Sequence, residues 1–170
     1  MRVAVTGTPG TGKTTAVEAA DTCLDVVHLN DLVREADLAT GEDPDRGSLV
    51  ADLDAIADRL AGREDVIIES HLAHHLDADL VVVLRCHPEE LSGRLRDRGE
   101  PEGKADENAE SEALDVILSE AVDRHGRERV REIDTTGREP AAVARDVAAA
   151  IAGEYDPGVG DVEFTDYLYP

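Results

Sequence analysis

The chain has 170 residues, enough for one sizeable core and too few for a second full domain, so one compact domain is expected. Its 39 Asp and Glu against 17 Lys and Arg give a formal net charge of −22, which excludes a broad surface for RNA or DNA. No apolar run approaches the ~20 residues that span a bilayer, and Arg2-Val3-Ala4-Val5 after Met1 lacks a secretory apolar region, so a cytoplasmic protein without a membrane partner is expected.

Arg2 to Thr6 is a short apolar run ending at Gly7 and reads as a buried strand, followed by helical residues from Lys13 to Ala20. Asp25 to Leu29 is a second strand candidate, with Asn30 or Asp31 as the cap of a helix running through Leu38. Gly41 to Gly47 reads as a loop by its turn residues, and Ser48 to Leu60 carries apolar residues at helical spacing. Asp65 to Glu69 and Asp79 to Arg85 are continuous apolar runs of strand length, expected at the centre of a parallel sheet covered on both faces. Pro88 to Arg98 predicts a helix, Gly99 to Glu107 a polar turn-rich segment, and Asn108 to His125 a further helix. Arg129 to Ile133 is a fifth strand and Pro140 to Ala152 a closing helix. Strands alternating with helices give an α/β class with an open, mostly parallel sheet.

From Gly153 onward the pattern breaks into Gly, Pro, Asp and Glu, and all four aromatic residues of the chain lie here: Tyr155, Phe164, Tyr167 and Tyr169. Residues 153–170 read as an extended arm whose rings pin it to the domain 1–152, with a docking segment for a partner as the alternative. Cys23 and Cys86 have no metal-ligand or C-x-x-C spacing and read as buried, reduced thiols. Only Lys13 and Lys104 are lysines. So large a net charge is tolerated where salt screens it, which points to a salt-loving host rather than to a basic substrate.

Gly7-Thr8-Pro9-Gly10-Thr11-Gly12-Lys13-Thr14 satisfies G-x-x-x-x-G-K-[ST] between a predicted strand and a predicted helix, the context that an ATP-binding phosphate loop requires. Gly10 and Gly12 let backbone amides turn toward phosphate oxygens at a helix N-terminus. Lys13 can reach the β- and γ-phosphates, Thr14 can place its hydroxyl on Mg²⁺, and Thr15 can assist at the α-phosphate. Glu69, at the tip of a neighbouring strand, is the candidate for holding the water shell of Mg²⁺. His71 lies at the same tip. The run His71-x-x-His74-His75 invites a metal reading, but no further spaced ligand accompanies it in the sequence, and a nucleotide-facing or surface loop is the plainer reading. Arg94 and Arg98 share one helix face and can meet charge developing on a transferred phosphoryl group, or can be part of a solvated Arg/Asp face.

The phosphate loop with Thr15, then Asp31-Leu32-x-Arg34-Glu35, Glu69-Ser70-His71, and Arg94-x-x-x-Arg98-Gly99 followed by Lys104 and Glu107-Asn108, resembles the nuclear-type adenylate kinase family over residues 1 to about 150. The resemblance implies a P-loop nucleoside monophosphate kinase fold with five parallel strands, a monophosphate-binding segment near residues 28–51 and a small lid near 97–107. It implies that Asp31 and Arg34 lie on the monophosphate side, that Arg98 meets ATP, and that Thr136-Gly137-Arg138 lies beside adenine. His71 matches a histidine tied in the family to ATP hydrolysis and phosphoryl transfer. The family also acts as an ATPase in late maturation of the small ribosomal subunit, binding small-subunit ribosomal protein eleven on the pre-ribosomal particle. Glu69 stands where many relatives have aspartate, Ser70 where tyrosine is common, and Glu100 where the lid usually has tyrosine. Two other readings stay open: an ATP-switched assembly factor, and a P-loop kinase for a small metabolite, which Asp31-x-x-Arg34 also fits.

Overall fold

The computed structural model describes residues 1–43, 48–155 and 158–169. Five parallel strands form the central sheet in the order β2 (Asp25–His28), β5 (Val66–Glu69), β1 (Arg2–Thr6), β6 (Leu80–Arg85) and β7 (Val130–Asp134). β1 is central because Val3, Ala4 and Val5 pair with β5 on one side and β6 on the other, and all three are fully buried. A strand covered on both faces needs apolar residues at successive positions, which explains its unbroken apolar run.

Successive side chains of these strands point to opposite faces and build two cores. Ala4, Ile68, Val81 and Val83 pack under α2 (Leu29–Glu35), α3 (Leu53–Arg59) and α6 (Val116–His125), through residues such as Leu29, Ile56 and Leu118. Val3, Val5, Val82 and Leu84 pack under α1 (Lys13–Ala19) and α7 (Pro140–Ala152), through Ala16, Val17, Val143 and Val147. A third cluster of Cys86, Leu91, Leu95 and Ala105 joins α4 (Pro88–Asp97) to α5 (Glu102–Ala113) beside the phosphate loop. With one Phe and no Trp in the chain, branched aliphatics and alanine fill these layers. Each fully buried Val, Leu or Ile contributes about 1.5–3 kcal/mol by leaving water.

Four local expectations are corrected. α2 starts at Leu29, directly out of β2, so Asn30 and Asp31 lie in its first turn and His28 is the residue before it; the helix ends at Glu35 rather than Leu38. Gly41 to Asp43 is not loop but part of β3 (Ala39–Asp43), which pairs antiparallel with β4 (Ser48–Ala51); residues 44–47 of that expected loop lie outside the described residues. The helix expected over Ser48 to Leu60 therefore begins only at Leu53, capped by Asp52, whose carboxylate accepts from Ala55 N at 3.0 Å. The turn-rich segment expected at Gly99 to Glu107 is mostly α5, whose Ala105, Ala109 and Ala113 form a fully buried stripe at four-residue spacing.

The C-terminal segment meets the rest of the chain through Tyr155, Gly160 and Phe164. The Phe164 ring, 6 % exposed, lies 5.3 Å from the Arg85 guanidinium carbon and edge-on to His87. Tyr155 donates its hydroxyl to the Glu132 carbonyl at 3.2 Å, and Gly160 N donates to the Glu132 carboxylate at 2.7 Å. Tyr169 is left 84 % exposed. Of the cysteines, Cys86 is buried, and burial pushes its thiol up to about 11; Cys23 is exposed, contrary to the sequence reading, because it falls in the link between α1 and β2. Among the described residues no helix is long and apolar enough to cross a membrane.

Candidate active site

The phosphate loop connects the C-terminal end of β1 to α1, at the edge of the sheet where strand order reverses between β5 and β6. Gly7 has φ +138°, and a Cβ there would sit 2.3 Å from the Leu84 carbonyl oxygen, so only glycine lets the loop leave β1 against β6. Gly12 takes φ +89° at the cap of α1 and turns the loop into the helix. Thr11 ties the loop to itself, its hydroxyl donating to the Thr8 carbonyl at 3.0 Å.

Lys13 is buried, and its ammonium donates to the Gly7 and Thr8 carbonyls at 2.9 and 3.0 Å. Burial lowers its pKa to about 8, while Glu69 and Glu112 pull the other way. A lysine folded back onto its own loop is a donor held ready for phosphate oxygens. His71 is pushed down to about 4, chiefly by burial and then by the positive charge of Lys13, so its imidazole is neutral at physiological pH.

Two open clefts flank the loop and share Gly10, Gly12, Thr15 and Arg98. The first, about 360 Å³, is completed by Arg94, Thr135, Arg138, Pro140 and Val143. Its walls are aliphatic and guanidinium, with Arg138 fixed by Asp146 at 2.8 Å and by the Asp134 carbonyl at 3.0 Å. The second, about 270 Å³, is completed by Lys13, Thr14, Asn30, Glu69, His71 and Glu100. There the Glu69 carboxylate is held 2.8 Å from His28 Nδ1.

Lys13, Thr14, Thr15, Glu69, His71 and Arg98, predicted from sequence, are thus brought to one place, with Arg138 on the far wall of the first cleft. The two helix arginines part company. Arg94 is engaged by Glu90 at 2.5 Å and by the Gly10 and Thr135 carbonyls at 3.3 Å each, so it braces the loop against the β7–α7 turn. Arg98 is exposed, and its guanidinium has no hydrogen bond or ion pair among the described residues. Asp31 and Arg34 do not line either cleft; they are mostly exposed and lie 3.8 Å apart on α2. Asn30 lines the second cleft instead, and Arg34 is four residues further along the same helix face.

Sequence reasoning missed Asn30, His28 and Glu112. Glu112, on α5 and 3 % exposed, accepts from the Thr8 hydroxyl, from Cys86 N at 3.1 Å and from Arg85 Nε at 2.7 Å. Arg85 also donates to Glu132 and Asp115 at 2.5 Å each, and these carboxylates keep its guanidinium charged despite burial. No local pattern marks such a group; the only available signal was an arginine ending an apolar strand.

Comparison with known proteins agrees with this architecture. Residues 3–115 match the AAA domain family. A protein of Natronomonas pharaonis described as "putative adenylate kinase" is 66 % identical over 99 % of this chain and 100 % of its own length. One so described from Methanothermobacter thermautotrophicus is 45 % identical over 98 % of each chain, and one from Pyrococcus furiosus 37 % identical over 97 % of this chain and 92 % of its own. In three dimensions the chain resembles shikimate kinase from Bacteroides thetaiotaomicron, with TM-score 0.59 and 17 % identity over 90 % of this chain and 98 % of that one, a likeness of fold. By its sequence over the full length and its P-loop kinase fold, the chain belongs to the adenylate kinase-like family that these relatives represent.

Proposed function

We propose that the chain is a nucleoside monophosphate kinase of the adenylate type, moving the γ-phosphoryl group of ATP to AMP or another monophosphate, with water as an alternative acceptor. The observation that carries this reading is the pair of clefts meeting at one phosphate loop, with Arg98 common to both. A donor nucleotide in the first and an acceptor in the second would have their phosphates meet beside Lys13. The description of the relatives as adenylate kinases supports the same choice of substrates.

In the donor cleft the base rests on Ala16, Pro140 and Val143 and against the Arg138 guanidinium, which supplies the stacking that no aromatic side chain offers there. The loop amides and Lys13 hold the phosphates. Thr14 and Glu69 present an oxygen-only donor set on one cleft wall, which fits Mg²⁺, and the ion when bound neutralises charge on the phosphate oxygens. On the acceptor side Asn30 holds the monophosphate, Arg34 reaches its phosphate by swinging from its pairing with Asp31, and neutral His71 orients the attacking oxygen. Arg98 closes over the transferred group with the segment near 97–107 acting as a lid, so rate comes from positioning and charge stabilisation without a covalent intermediate.

A second reading adds a binding role. Tyr169 stands 84 % exposed at the end of an arm with no lysine or arginine, a feature suited to a basic protein partner. On that reading the enzyme also serves late maturation of the small ribosomal subunit.

The test is a coupled assay at high salt with ATP, Mg²⁺ and AMP. AMP-dependent ADP formation that is lost in Lys13→Ala is expected. ATP hydrolysis without any transfer to AMP or another monophosphate would overturn the kinase reading.

A further inference from the structure

His74 and His75 lie in a short 3-10 turn, Ala73–His75, that follows His71, and their rings are 4.1 Å apart between centroids. Glu120, which is 45 positions beyond His75, comes off α6 to meet them. Its Oε2 is 3.0 Å from His74 Nε2 and 4.0 Å from His75 Nε2, and the ligand atoms of all three residues lie within 4.8 Å of one another. Nitrogen and oxygen ligands each about 2.0–2.1 Å from a shared ion stand about 3–4 Å apart, so modest closure of this trio forms a coordination sphere.

The buried imidazole is oriented for the purpose. His74 is 1 % exposed, and its Nδ1 lies 2.9 Å from the Thr6 hydroxyl oxygen. That hydroxyl donates to the His71 carbonyl at 3.3 Å. In the tautomer whose Nδ1–H donates to the Thr6 oxygen, with the hydroxyl proton directed to the His71 carbonyl, the Nε2 lone pair turns toward Glu120. A hydrogen bond from the second ring nitrogen is the usual support of a metal-binding histidine. In that tautomer the lone pair and the carboxylate face each other at 3.0 Å, the arrangement that a shared cation stabilises in place of a proton. The His75 and Glu120 side chains are 33 % and 49 % exposed, so an ion can enter and retain water.

We propose that His74, His75 and Glu120 form a binding site for a divalent transition metal ion, apart from the phosphate-loop magnesium. Two imidazoles and one carboxylate select ions of the Zn²⁺, Co²⁺ and Ni²⁺ type over Mg²⁺ and Ca²⁺, which want oxygen alone. A bound ion ties the turn that follows His71 to α6, next to the strand end from which the phosphate loop starts.

The full chain, stripped of metal and free of nucleotide, is titrated with Co²⁺ and read by visible absorption. A single Co²⁺ with imidazole-type bands is expected, displaced by Zn²⁺, and Zn²⁺ should raise the thermal midpoint. The bands should vanish in His75→Ala and in Glu120→Gln, both partly exposed positions whose circular dichroism should match that of the parent, and persist in Glu69→Gln. Absence of the bands, their survival in His75→Ala and Glu120→Gln, or their loss in Glu69→Gln would overturn the assignment.

Discussion

Thr8 of the phosphate loop donates its hydroxyl proton to Glu112, 104 positions away on α5. The same carboxylate holds Arg85 at the end of β6. The loop is therefore anchored to a buried ion network, and removing Glu112 would leave Arg85 short of a partner. Glu112→Ala is expected to cost about 3–5 kcal/mol, and Glu112→Gln, whose amide oxygen can still accept from Cys86 N and Arg85 Nε while its NH2 group meets the Thr8 hydroxyl oxygen, less. Denaturant unfolding of the two variants at fixed high salt measures the difference. Equal losses would show that charge, not hydrogen bonding, sets the effect.

The arginines of α4 should separate by what they change. Arg98→Ala should lower kcat by about 10²–10³ through loss of charge stabilisation. Its stability should move by no more than about 0.5 kcal/mol, because the side chain is exposed and has no hydrogen bond or ion pair among the described residues. Arg94→Ala removes donors from the Gly10 and Thr135 carbonyls, so it should raise the KM for ATP and lower stability by about 1.5–3 kcal/mol. Steady-state kinetics with thermal unfolding on both variants checks the contrast.

Lys13 gives the donor site a pH dependence. Its pKa in the free protein is lowered to about 8 by burial, and phosphate selects the protonated form. Above that pH, binding must take up a proton, so affinity falls as pH rises; below it the ammonium is already formed and affinity is flat. The slope should approach a tenfold loss in affinity per pH unit from about pH 8 upward, until the pKa of the complex is reached. Calorimetric ATP titrations from about pH 6.5 to 9.5 report it. Affinity that rises across this range would contradict the assignment.

The arm should be detachable without unfolding the domain. Phe164→Ala deletes the ring packed on Arg85 and His87, a loss of about 3 kcal/mol for a buried phenylalanine. Because residues 158–169 contribute no strand to the sheet, the loss should appear locally. Backbone amides of residues 158–169 should exchange faster in the variant, while those of β1 and β6 keep their protection. Hydrogen exchange read by mass spectrometry decides this.

The three central strands, β1, β5 and β6, were legible because each one answers to burial on both faces. Val66 to Glu69 and Leu80 to Arg85 are apolar runs that no other element of their length accommodates. α7 was legible from Pro140 to Ala152 for a similar reason, having proline at its start and a continuous Ala/Val face. β4 was not, because Leu49, Val50 and Leu53 fit helical spacing as well as they fit a strand leading into a helix, and only pairing with β3 selects the strand. α5 hid behind its composition: its buried residues are three alanines and Glu112, a weak signal among Glu, Gly and Lys.

The sequence by itself determined the phosphate loop, since glycine conformations, a lysine and a threonine must be contiguous to fold around phosphate. It also brought out Glu69 and His71, which lie at a strand tip by virtue of the strand. Only the tertiary structure decided the partners those residues have. Glu112 at Thr8, Glu120 at His74 and Asn30 in the second cleft come from helices whose faces are chosen by packing against the sheet. Among 39 acidic residues nothing local distinguishes the few that are buried and paired from those that merely face salt water. That distinction is made by where each helix crosses the sheet, which depends on the whole set of long-range contacts at once.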